Sequence, residues 1–369
     1  MNKRISFAGP SITDKEVSYV LDAVRNGWYE NYDQYTKRLE RAFADYIGVK
    51  YALATHCCTV ALHLAAEALE LGPGDEVIVP DFSWVATAYA VAYTGATCVF
   101  VDIDPDTWTI DPQCIRQAIT PKTKAIMLVH TFGHPADMDE ILKIAAEHGL
   151  FVIEDAAPAI GATYKGKLVG GFGHVACFSF QGAKMTVSGE GGMLVTNDEN
   201  IYRKACLLAS MGRTDSKAVF WSDMLGFQYT MNNLTAALAL AQLERVDELL
   251  AKKRQLFDYY YQRLKDVAGI KIIKEKPGYK SNYCYPSILL DSTITANRDE
   301  ILARLKDLNI HARPGFPRMS LFPVFNQRFE NPVAKSVEQR GISLPSAANL
   351  TEADIDFVCQ NLINLLHNS

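Results

Sequence analysis

One lysine lies in a glycine-rich segment that carries almost no other charge. Lys184 follows the apolar run HVACFSF, precedes the turn GEGG, and is the only charged residue from position 176 to position 189. Small residues let a flat ligand approach the backbone, and a lysine removed from water has the lowered pKa that suits Schiff-base chemistry. A lone lysine is more often a solvated surface residue. The uncharged surroundings favour the chemical interpretation here.

Two acids end another apolar run. In LFVIEDAAPAIGA, Glu154 and Asp155 directly follow the apolar residues. Acids are rarely buried without a partner, so an acid at the carboxyl end of a parallel strand is well placed to face a ligand. A helix N-cap is an equally good explanation of Asp155 alone. On strands next to each other, Lys184 and Asp155 would meet one electronic need: the lysine forms a Schiff base with pyridoxal phosphate (PLP) while the acid keeps the pyridine nitrogen protonated.

A third segment, ATHCCTVALHLA, places a short loop before a predicted helix. Backbone N–H groups and the Thr59 hydroxyl at a helix N-terminus form a seat for phosphate. A Thr59 side chain that merely caps the helix is about equally consistent with the pattern. The three segments can be combined into one site.

The elements that must position this site alternate between short apolar runs and helical stretches. YALAT, DEVIVP, TCVFVDI, KAIMLVH and LFVIEDAA are typical of buried parallel strands, with crossover helices between them. They predict an α/β domain with a mostly parallel sheet. Before them, SITDKEVSYVLDAVRNGW predicts an amphipathic helix with Ser11 or Thr13 as its cap and with Val17, Val20, Leu21 and Val24 at helical spacing.

The pattern changes after residue 230. NNLTAALALAQLERVDELLAKKRQLFDYYYQRLKDV predicts one long helical stretch that leads into a smaller α+β domain. We expect a large domain at 1–245 and a small one at 246–369, with 274–280 as the best linker candidate because it is charged and contains Pro and Gly. Strands are predicted in YCYPSILL and NIHARP, and helices in DEILARLKDL and TEADIDFVCQNLINLLH.

Composition excludes several classes of protein. The chain has 369 residues and a formal net charge of -5, which argues against a general nucleic-acid binder. It contains neither a signal-like segment nor a membrane-spanning apolar run, so we expect a cytoplasmic protein with no membrane partner. Eight scattered cysteines lack CxxC or zinc-finger spacing, and a redox or metal site at Cys57 and Cys58 lacks supporting ligands. No metal site is expected.

Taken together, EDAAPAIGA, SFQGAKMTVSGEGGMLVTND, HCCTVALHLA and DFSWVAT resemble the DegT/DnrJ/EryC1/StrS sugar aminotransferases from about residue 4 to the C-terminal LPSAANLTEADI. The resemblance implies a fold-type I PLP enzyme with a large, mostly parallel sheet of seven strands and a smaller C-terminal α+β domain. It implies that Lys184 is the Schiff-base lysine and Asp155 the partner of the pyridine nitrogen. Cys58, Thr59 and Ser179 would contact the phosphate or another part of the cofactor.

Three further roles follow from the same resemblance. Trp84 would lie against the cofactor ring, although a plain core aromatic is an alternative. Asn233 would reach the cofactor phosphate of the other subunit, which implies a homodimer with shared active sites. Arg313 is a candidate for binding the substrate, with a surface or core-edge salt bridge as the more ordinary explanation.

The chain departs from the family pattern at several positions. The usual Ser-Gly-Thr is Cys57, Cys58 and Thr59, so the phosphate seat would depend more on backbone N–H groups. Pro158 replaces a frequent Gln, and Thr230 replaces the Arg of a YRM motif. These changes affect substrate contacts rather than the lysine or the aspartate.

The implied reaction moves an amino group from L-glutamate to a nucleotide-linked keto-deoxy sugar, with C4 of a dTDP- or GDP-4-keto-6-deoxyhexose favoured, for O-antigen or similar surface glycans. Amination at C3 and a keto-octulosonate acceptor remain open. A dehydratase branch of the family has His in place of the lysine, so Lys184 favours transamination. A PLP-binding regulator would need an additional module for which the two domains leave no room.

Overall fold

The computed structural model describes residues 3–214, 218, 221–294 and 297–367. Its strands are β1 (Tyr51–Thr55), β2 (Glu76–Pro80), β3 (Thr97–Val101), β4 (Thr123–Val129), β5 (Phe151–Asp155), β6 (Thr163–Tyr164), β7 (Lys167–Leu168), β8 (Val175–Ser179), β9 (Gly192–Thr196), β10 (Ile270–Ile272), β11 (Tyr279–Lys280), β12 (Ser287–Leu290), β13 (Arg313–Pro314) and β14 (Gly341–Ser343). Its α-helices are α1 (Asp14–Asn26), α2 (Gln34–Ile47), α3 (Cys58–Ala68), α4 (Ala86–Tyr93), α5 (Pro112–Ala118), α6 (Met138–His148), α7 (Glu199–Ala209), α8 (Asn233–Leu243), α9 (Val246–Leu264), α10 (Arg298–Asp307), α11 (Pro332–Arg340) and α12 (Glu352–His367).

The main sheet has seven strands in the order β1-β9-β8-β5-β4-β2-β3. β9 runs antiparallel to both of its neighbours, and the other pairs are parallel. The predicted mostly parallel sheet is therefore confirmed. Because β5 and β8 are parallel neighbours, their last residues, Asp155 and Ser179, lie at the same edge of the sheet.

Helices cover both faces of this sheet, as the alternation of buried side chains along β2 shows. Val77 and Val79 pack into a cluster with residues of α3 and α4. Ile78, between them, packs into a cluster with residues of α5 and α6. Successive strand residues point to opposite faces, so an uninterrupted apolar run is what a sheet buried on both sides requires.

Helix α1 is present where predicted, but its apolar face is turned outward. Thr13 is the N-cap, with a capping box completed by Glu16. The side of α1 that packs against α8 buries Glu16 and Ala23. Val17, Leu21 and Val24 are instead exposed in the single chain, at 57%, 44% and 48% of their surface.

The predicted long helical stretch after residue 230 is two helices rather than one. α8 ends at Leu243 and α9 begins at Val246. Arg245, between them, leaves the helical conformation and directs its guanidinium to Glu16 at 2.6 Å (Nη1–Oε1) and to the Ser11 hydroxyl at 2.9 Å (Nη2–Oγ). The break thus coincides with a nearly buried ion pair that fastens α1 to this junction.

A second sheet, in the order β10-β12-β14-β13, packs with α9, α10 and α12 in its own hydrophobic cluster. The two helices predicted for this part are confirmed as α10 and α12. The strands predicted in YCYPSILL and NIHARP are confirmed only over their last residues, as β12 and β13. Ile5 from the N-terminus joins the same cluster. The boundary between 1–245 and 246–369 stays a prediction.

The segment 274–280, expected to be a linker, contacts residues that lie before residue 245 in the chain. It ends in β11, which pairs with β6 in a third sheet of order β11-β6-β7. Lys276 also forms an ion pair with Asp104 at 3.0 Å (Nζ–Oδ2). In the described residues, no helix has the length and apolar character needed to cross a bilayer.

Candidate active site

Asp155 lies at the carboxyl edge of the main sheet with 4% of its surface exposed. Its Oδ2 accepts a hydrogen bond from the Thr87 hydroxyl at 2.7 Å, and its Oδ1 accepts one from the backbone N–H of Ala157 at 3.1 Å. Burial raises the pKa of Asp155, and these hydrogen bonds offset only part of the increase. No helix begins after β5 in the described residues 156–162, so the alternative of a helix cap at Asp155 is wrong.

Lys184 lies in the turn between β8 and β9 and is half-buried. Several hydrogen bonds hold the turn, among them one from the Lys184 N–H to the Gln181 carbonyl at 2.8 Å and one from the Tyr285 hydroxyl to the Ala183 carbonyl at 3.1 Å. The Lys184 Nζ is 6.0 Å from the centre of the Tyr285 ring. The positive charge of Lys184 lowers the pKa of Asp155, although less than its two hydrogen bonds do. The Lys184 amine and the Asp155 carboxylate are therefore close enough to interact electrostatically.

The N-terminus of α3 completes this site. Cys57 is the N-cap and makes no side-chain hydrogen bond to the helix, so the alternative of Thr59 as the cap is wrong. Burial raises the pKa of the Cys58 thiol, the negative charge of Asp155 raises it further, and the positive charge of Lys184 lowers it. The first turn of α3, Asp155 and Lys184 are thus close enough to interact electrostatically.

Gly192 allows this approach. A Cβ at this first residue of β9 would lie 2.5 Å from the carbonyl carbon of Cys57 and 2.6 Å from the backbone nitrogen of Cys58. Only a residue without a Cβ fits between β9 and the loop that begins α3. The glycine-rich turn therefore brings the Lys184 segment and the α3 N-terminus together.

Ser179 and Trp84 lie at the same edge of the sheet in different surroundings. Ser179, at the end of β8, is 5% exposed, and its Oγ accepts a hydrogen bond from the Gln181 N–H at 3.3 Å. Trp84, just before α4, is 63% exposed, with its ring centre 6.2 Å from that of Phe316. The alternative of Trp84 as a core aromatic is therefore wrong.

The amide of Asn233 is engaged within its own chain. Its Oδ1 accepts a hydrogen bond from the Tyr35 N–H at 2.7 Å, and its Nδ2 donates to the carbonyls of Gly27 and Asn31, both at 3.3 Å. These bonds link the start of α8 to the chain between α1 and α2. The structure therefore does not bring Asn233 into the group formed by Asp155, Lys184 and the α3 N-terminus.

Arg313, in β13, is exposed and lies over the ring of Phe7, with 4.4 Å between its Cζ and the ring centre. Within the described part of the chain it forms no ion pair, so the salt-bridge alternative is wrong there. Phe7 packs against Tyr285 with 4.8 Å between ring centres. The guanidinium is thus connected to the Lys184 turn through two aromatic rings.

Two residues of this site were missed by reasoning from the sequence. Thr87 lies inside the DFSWVAT segment, three residues after Trp84, and could have been found as the polar residue on the next turn of a helix. Tyr285 comes from YCYPSILL, far along the chain, and nothing in that segment distinguishes it from a core aromatic.

The residues present fit PLP. A helix N-terminus without a side-chain cap offers backbone N–H groups to a phosphate. Among the described residues, Asp155 is a buried carboxylate hydrogen-bonded only to neutral groups, which suits a protonated ring nitrogen. In that same part of the chain, the Lys184 amine has no hydrogen-bond partner, which suits a group that must react.

Comparison with known proteins agrees with this chemistry. Residues 10–363 match the DegT/DnrJ/EryC1/StrS aminotransferase family. The chain is 42% identical over 367 residues to GDP-perosamine synthase of Caulobacter vibrioides, covering 98% of each chain. It is 40% identical over 362 residues to GDP-perosamine synthase of Escherichia coli O157:H7, again covering 98% of each.

Among solved structures, the chain is similar to Spr1654 of Streptococcus pneumoniae in its PLP form. The TM-score is 0.92 at 26% identity, covering 99% of both chains. The match extends over the main sheet and the C-terminal part together. The chain therefore belongs to the DegT/DnrJ/EryC1/StrS family and is a PLP-dependent sugar aminotransferase of fold type I.

Proposed function

We propose that this enzyme transfers the amino group of L-glutamate to C4 of a GDP-linked 4-keto-6-deoxyhexose. The observation that carries the choice of acceptor is the 42% identity to a GDP-perosamine synthase along 98% of both chains. The product would be an amino-deoxy sugar for O-antigen or a similar surface glycan, made in the cytoplasm. No observation on this chain favours a C3 or octulosonate acceptor over this one.

The proposed roles of the chain's own residues follow from the site. PLP, when bound, supplies an electron sink for carbanion chemistry. The first-turn N–H groups of Cys58 and Thr59 bind its phosphate, and Ser179 lies at the same edge of the sheet. Asp155 holds the ring nitrogen protonated, with the Thr87 hydroxyl fixing one carboxylate oxygen at 2.7 Å.

Lys184 holds the cofactor and then acts as the base. In the first half-reaction its Nζ would take the proton from the α carbon of the amino donor and deliver it to the cofactor. In the second half-reaction it would move a proton in the opposite direction, from the cofactor to C4 of the sugar. The exposed Trp84 ring offers a flat apolar surface, which suits stacking against the cofactor ring.

Arg313 is proposed to bind the diphosphate of the nucleotide sugar. A guanidinium binds phosphate oxygens through paired N–H groups. Its exposure and its lack of an ion-pair partner among the described residues leave those groups available, and its contact with Phe7 directs it toward the Tyr285 side of the site.

A homodimer is proposed from the surface of α1. Val17, Leu21 and Val24 form an exposed apolar stripe on one helix, and Trp28 follows it with 53% of its surface exposed. A second copy of the chain is the partner that the proposed shared active site requires. Because the Asn233 amide is hydrogen-bonded within its own chain, the proposed dimer does not depend on a contact from Asn233 to the other subunit's phosphate.

Sedimentation of a Leu21→Asp variant tests the dimer, because a charge in a buried apolar contact disfavours association. The matched control is Val324→Asp, which places the same charge at another exposed apolar residue, 69% exposed in the wild type. A Leu21→Asp protein that sediments as the wild type would exclude this surface as the contact.

The acceptor is tested with the purified enzyme, glutamate, and a panel of GDP-, dTDP- and UDP-linked keto-sugars, with the products identified by mass and NMR. We expect a 4-amino product from the GDP-linked 4-keto-6-deoxyhexose. Aspartate and glutamine serve as competing donors. A product aminated at C3, or turnover of only another carrier, would contradict the proposal.

A further inference from the structure

A small cavity lies beside the candidate site, between the turn that follows β4 and the chain at 273–287. Its volume is about 20 Å³. Its lining includes Trp108, Thr131, Phe132 and His134 from the first half of the chain and Tyr285 from the segment 273–287. The cavity therefore lies between the main sheet and the C-terminal part of the chain.

Among the described residues that line the cavity, three each have a polar atom that is buried without a hydrogen-bond partner. These atoms are Nε1 of Trp108, Oγ1 of Thr131 and Nε2 of His134, and the described residues contain two other such atoms, in His63 and Thr186, neither of which lines this cavity. The three side chains belong to residues that are 1%, 2% and 4% exposed, respectively. Buried polar groups in native proteins are nearly always paired, with protein or with ordered water. Three exceptions in one cavity call for a shared partner.

The chemistry of the three atoms defines that partner. His134 has its Nδ1 2.7 Å from the carbonyl oxygen of Pro135, and since a carbonyl only accepts, Nδ1 carries the proton. Burial lowers the pKa of His134 to about 4, so the ring is neutral at neutral pH and Nε2 is an acceptor. Trp108 Nε1 can only donate. The partner must therefore donate to His134 and accept from Trp108, while the Thr131 hydroxyl can do either.

We propose that one buried water molecule occupies this cavity and hydrogen-bonds to Trp108 Nε1, Thr131 Oγ1 and His134 Nε2. Water both donates and accepts, and a bound water typically makes about three hydrogen bonds and needs a cavity of at least roughly 10–15 Å³. The volume of about 20 Å³ is sufficient for one water molecule.

The water would hold a turn that adjoins the catalytic edge of the sheet. Phe132, in this turn, has φ 51°, a left-handed conformation that side chains other than glycine rarely adopt. His130, which begins the turn, donates its backbone N–H to the carbonyl of Asp155 at 3.1 Å. By joining Thr131 and His134 across the turn and linking both to Trp108, the water fixes the backbone next to Asp155.

A high-resolution crystal structure of the holoenzyme tests the proposal directly. We expect a single density peak within hydrogen-bond distance of all three atoms. An empty cavity, or direct hydrogen bonds among the three side chains, would overturn it.

The melting temperature of Thr131→Val gives a second test whose sign discriminates. If Thr131 binds water, replacing its hydroxyl by a methyl removes a hydrogen bond, leaves the water short of a partner, and lowers Tm. If the hydroxyl has no partner, the same change removes an unsatisfied buried group and raises Tm or leaves it unchanged. Thr131→Ser keeps the hydroxyl and controls for the change in packing: we expect a smaller loss of Tm than for Thr131→Val, and an equal or larger loss would contradict the water.

Discussion

Glu154 and Asp155 are consecutive residues of β5 that the fold places in opposite electrostatic environments. Glu154 accepts hydrogen bonds from the N–H groups of Gly170, Phe172 and Gly173 at 2.7, 2.8 and 2.6 Å, and its Oε2 lies 3.1 Å from His130 Nε2. Burial alone would raise the pKa of Glu154, but these interactions lower it. Asp155 is as deeply buried, has fewer partners, and has a raised pKa. Because neighbouring strand residues face opposite sides of the sheet, one acid anchors the strand and the other serves the site.

Glu154→Gln is expected to destabilise the protein, because an amide nitrogen cannot accept the N–H groups that converge on the carboxylate. Hydrogen bonds to a charged group contribute about 1.5–3 kcal/mol each, so we expect a loss of at least about 2 kcal/mol in the free energy of unfolding. Denaturant titration measures it. Glu147→Gln, at an exposed carboxylate paired with Arg116, is the matched control and should change little.

Glu154 also contributes to the response of the fold to acid. The folded-state pKa of Glu154 lies below its ordinary value of 4.5. Its ionised form therefore stabilises the fold above pH 4.5, and this contribution is lost as the pH falls through the folded-state pKa. The acid limb of the stability curve should be shallower in Glu154→Gln than in the wild type; identical limbs would show that Glu154 does not carry this dependence.

Asp155→Asn is expected to slow the half-reaction with glutamate while keeping the fold. An amide can still accept from Thr87 but cannot hold a ring nitrogen protonated. Removing a positioned acid or base typically costs about 10²–10⁴-fold in rate, and single-turnover absorbance of bound PLP measures the change. Thr87→Val, which removes only the hydroxyl that orients the carboxylate, should cost less. A Thr87→Val defect equal to that of Asp155→Asn would contradict this order.

The sequence was sufficient to predict that Asp155 and Lys184 lie near each other, because parallel strands place their carboxyl ends at one edge of the sheet. The end of the strand at Asp155 and the end of the strand before Lys184 therefore lie at the same edge, whatever the conformation of the segments that connect them. The orientation of α1 could not be predicted, because the apolar spacing of Val17, Leu21 and Val24 does not say which face of the helix packs against the rest of the chain. The Glu16–Arg245 ion pair that fixes α1 joins residues 229 positions apart.

The contact of Tyr285 with the Lys184 turn could not be predicted either, because the two residues that form it are far apart in the sequence. Its hydroxyl reaches Ala183 across 102 positions, and in the sequence it is one of 17 tyrosines. Trp84 is a contrasting case: the motif predicts it near the cofactor, and the structure shows that it is exposed rather than part of the core.

Tyr285→Phe is expected to loosen the turn that carries Lys184. The ring would remain in its packing with Phe7, and only the hydrogen bond to the Ala183 carbonyl would be lost. A single hydrogen bond contributes about 0.5–1.5 kcal/mol, so kcat should fall by several-fold with little change in the KM for glutamate. A change confined to KM would mean that Tyr285 contacts substrate instead of positioning the lysine.

Arg313→Ala is expected to weaken binding of the nucleotide sugar and leave the glutamate half-reaction unchanged. Loss of a charge-assisted hydrogen bond costs about 1.5–3 kcal/mol, or about 10- to 100-fold in KM. Steady-state kinetics with each substrate varied separately measures both. Arg203→Ala, which removes an exposed arginine paired with Glu199 on α7, is the control. An equal effect of Arg313→Ala on both substrates would place this arginine outside the nucleotide site.

Gly192→Ala is expected to separate β9 from the loop that begins α3 and so to weaken PLP binding. The new Cβ would lie 2.5 Å from the Cys57 carbonyl carbon, and because the obstacle is backbone, a side-chain rotation cannot relieve the clash. Overpacking of this kind costs about 1–3 kcal/mol, and we expect at least a tenfold rise in the PLP dissociation constant, measured by titrating the apoenzyme. Gly72→Ala is the matched control, since its Cβ would meet nothing closer than 3.9 Å. If Gly192→Ala lowered Tm without changing PLP affinity, the close contact would serve the fold alone and the α3 N-terminus would not be the phosphate seat.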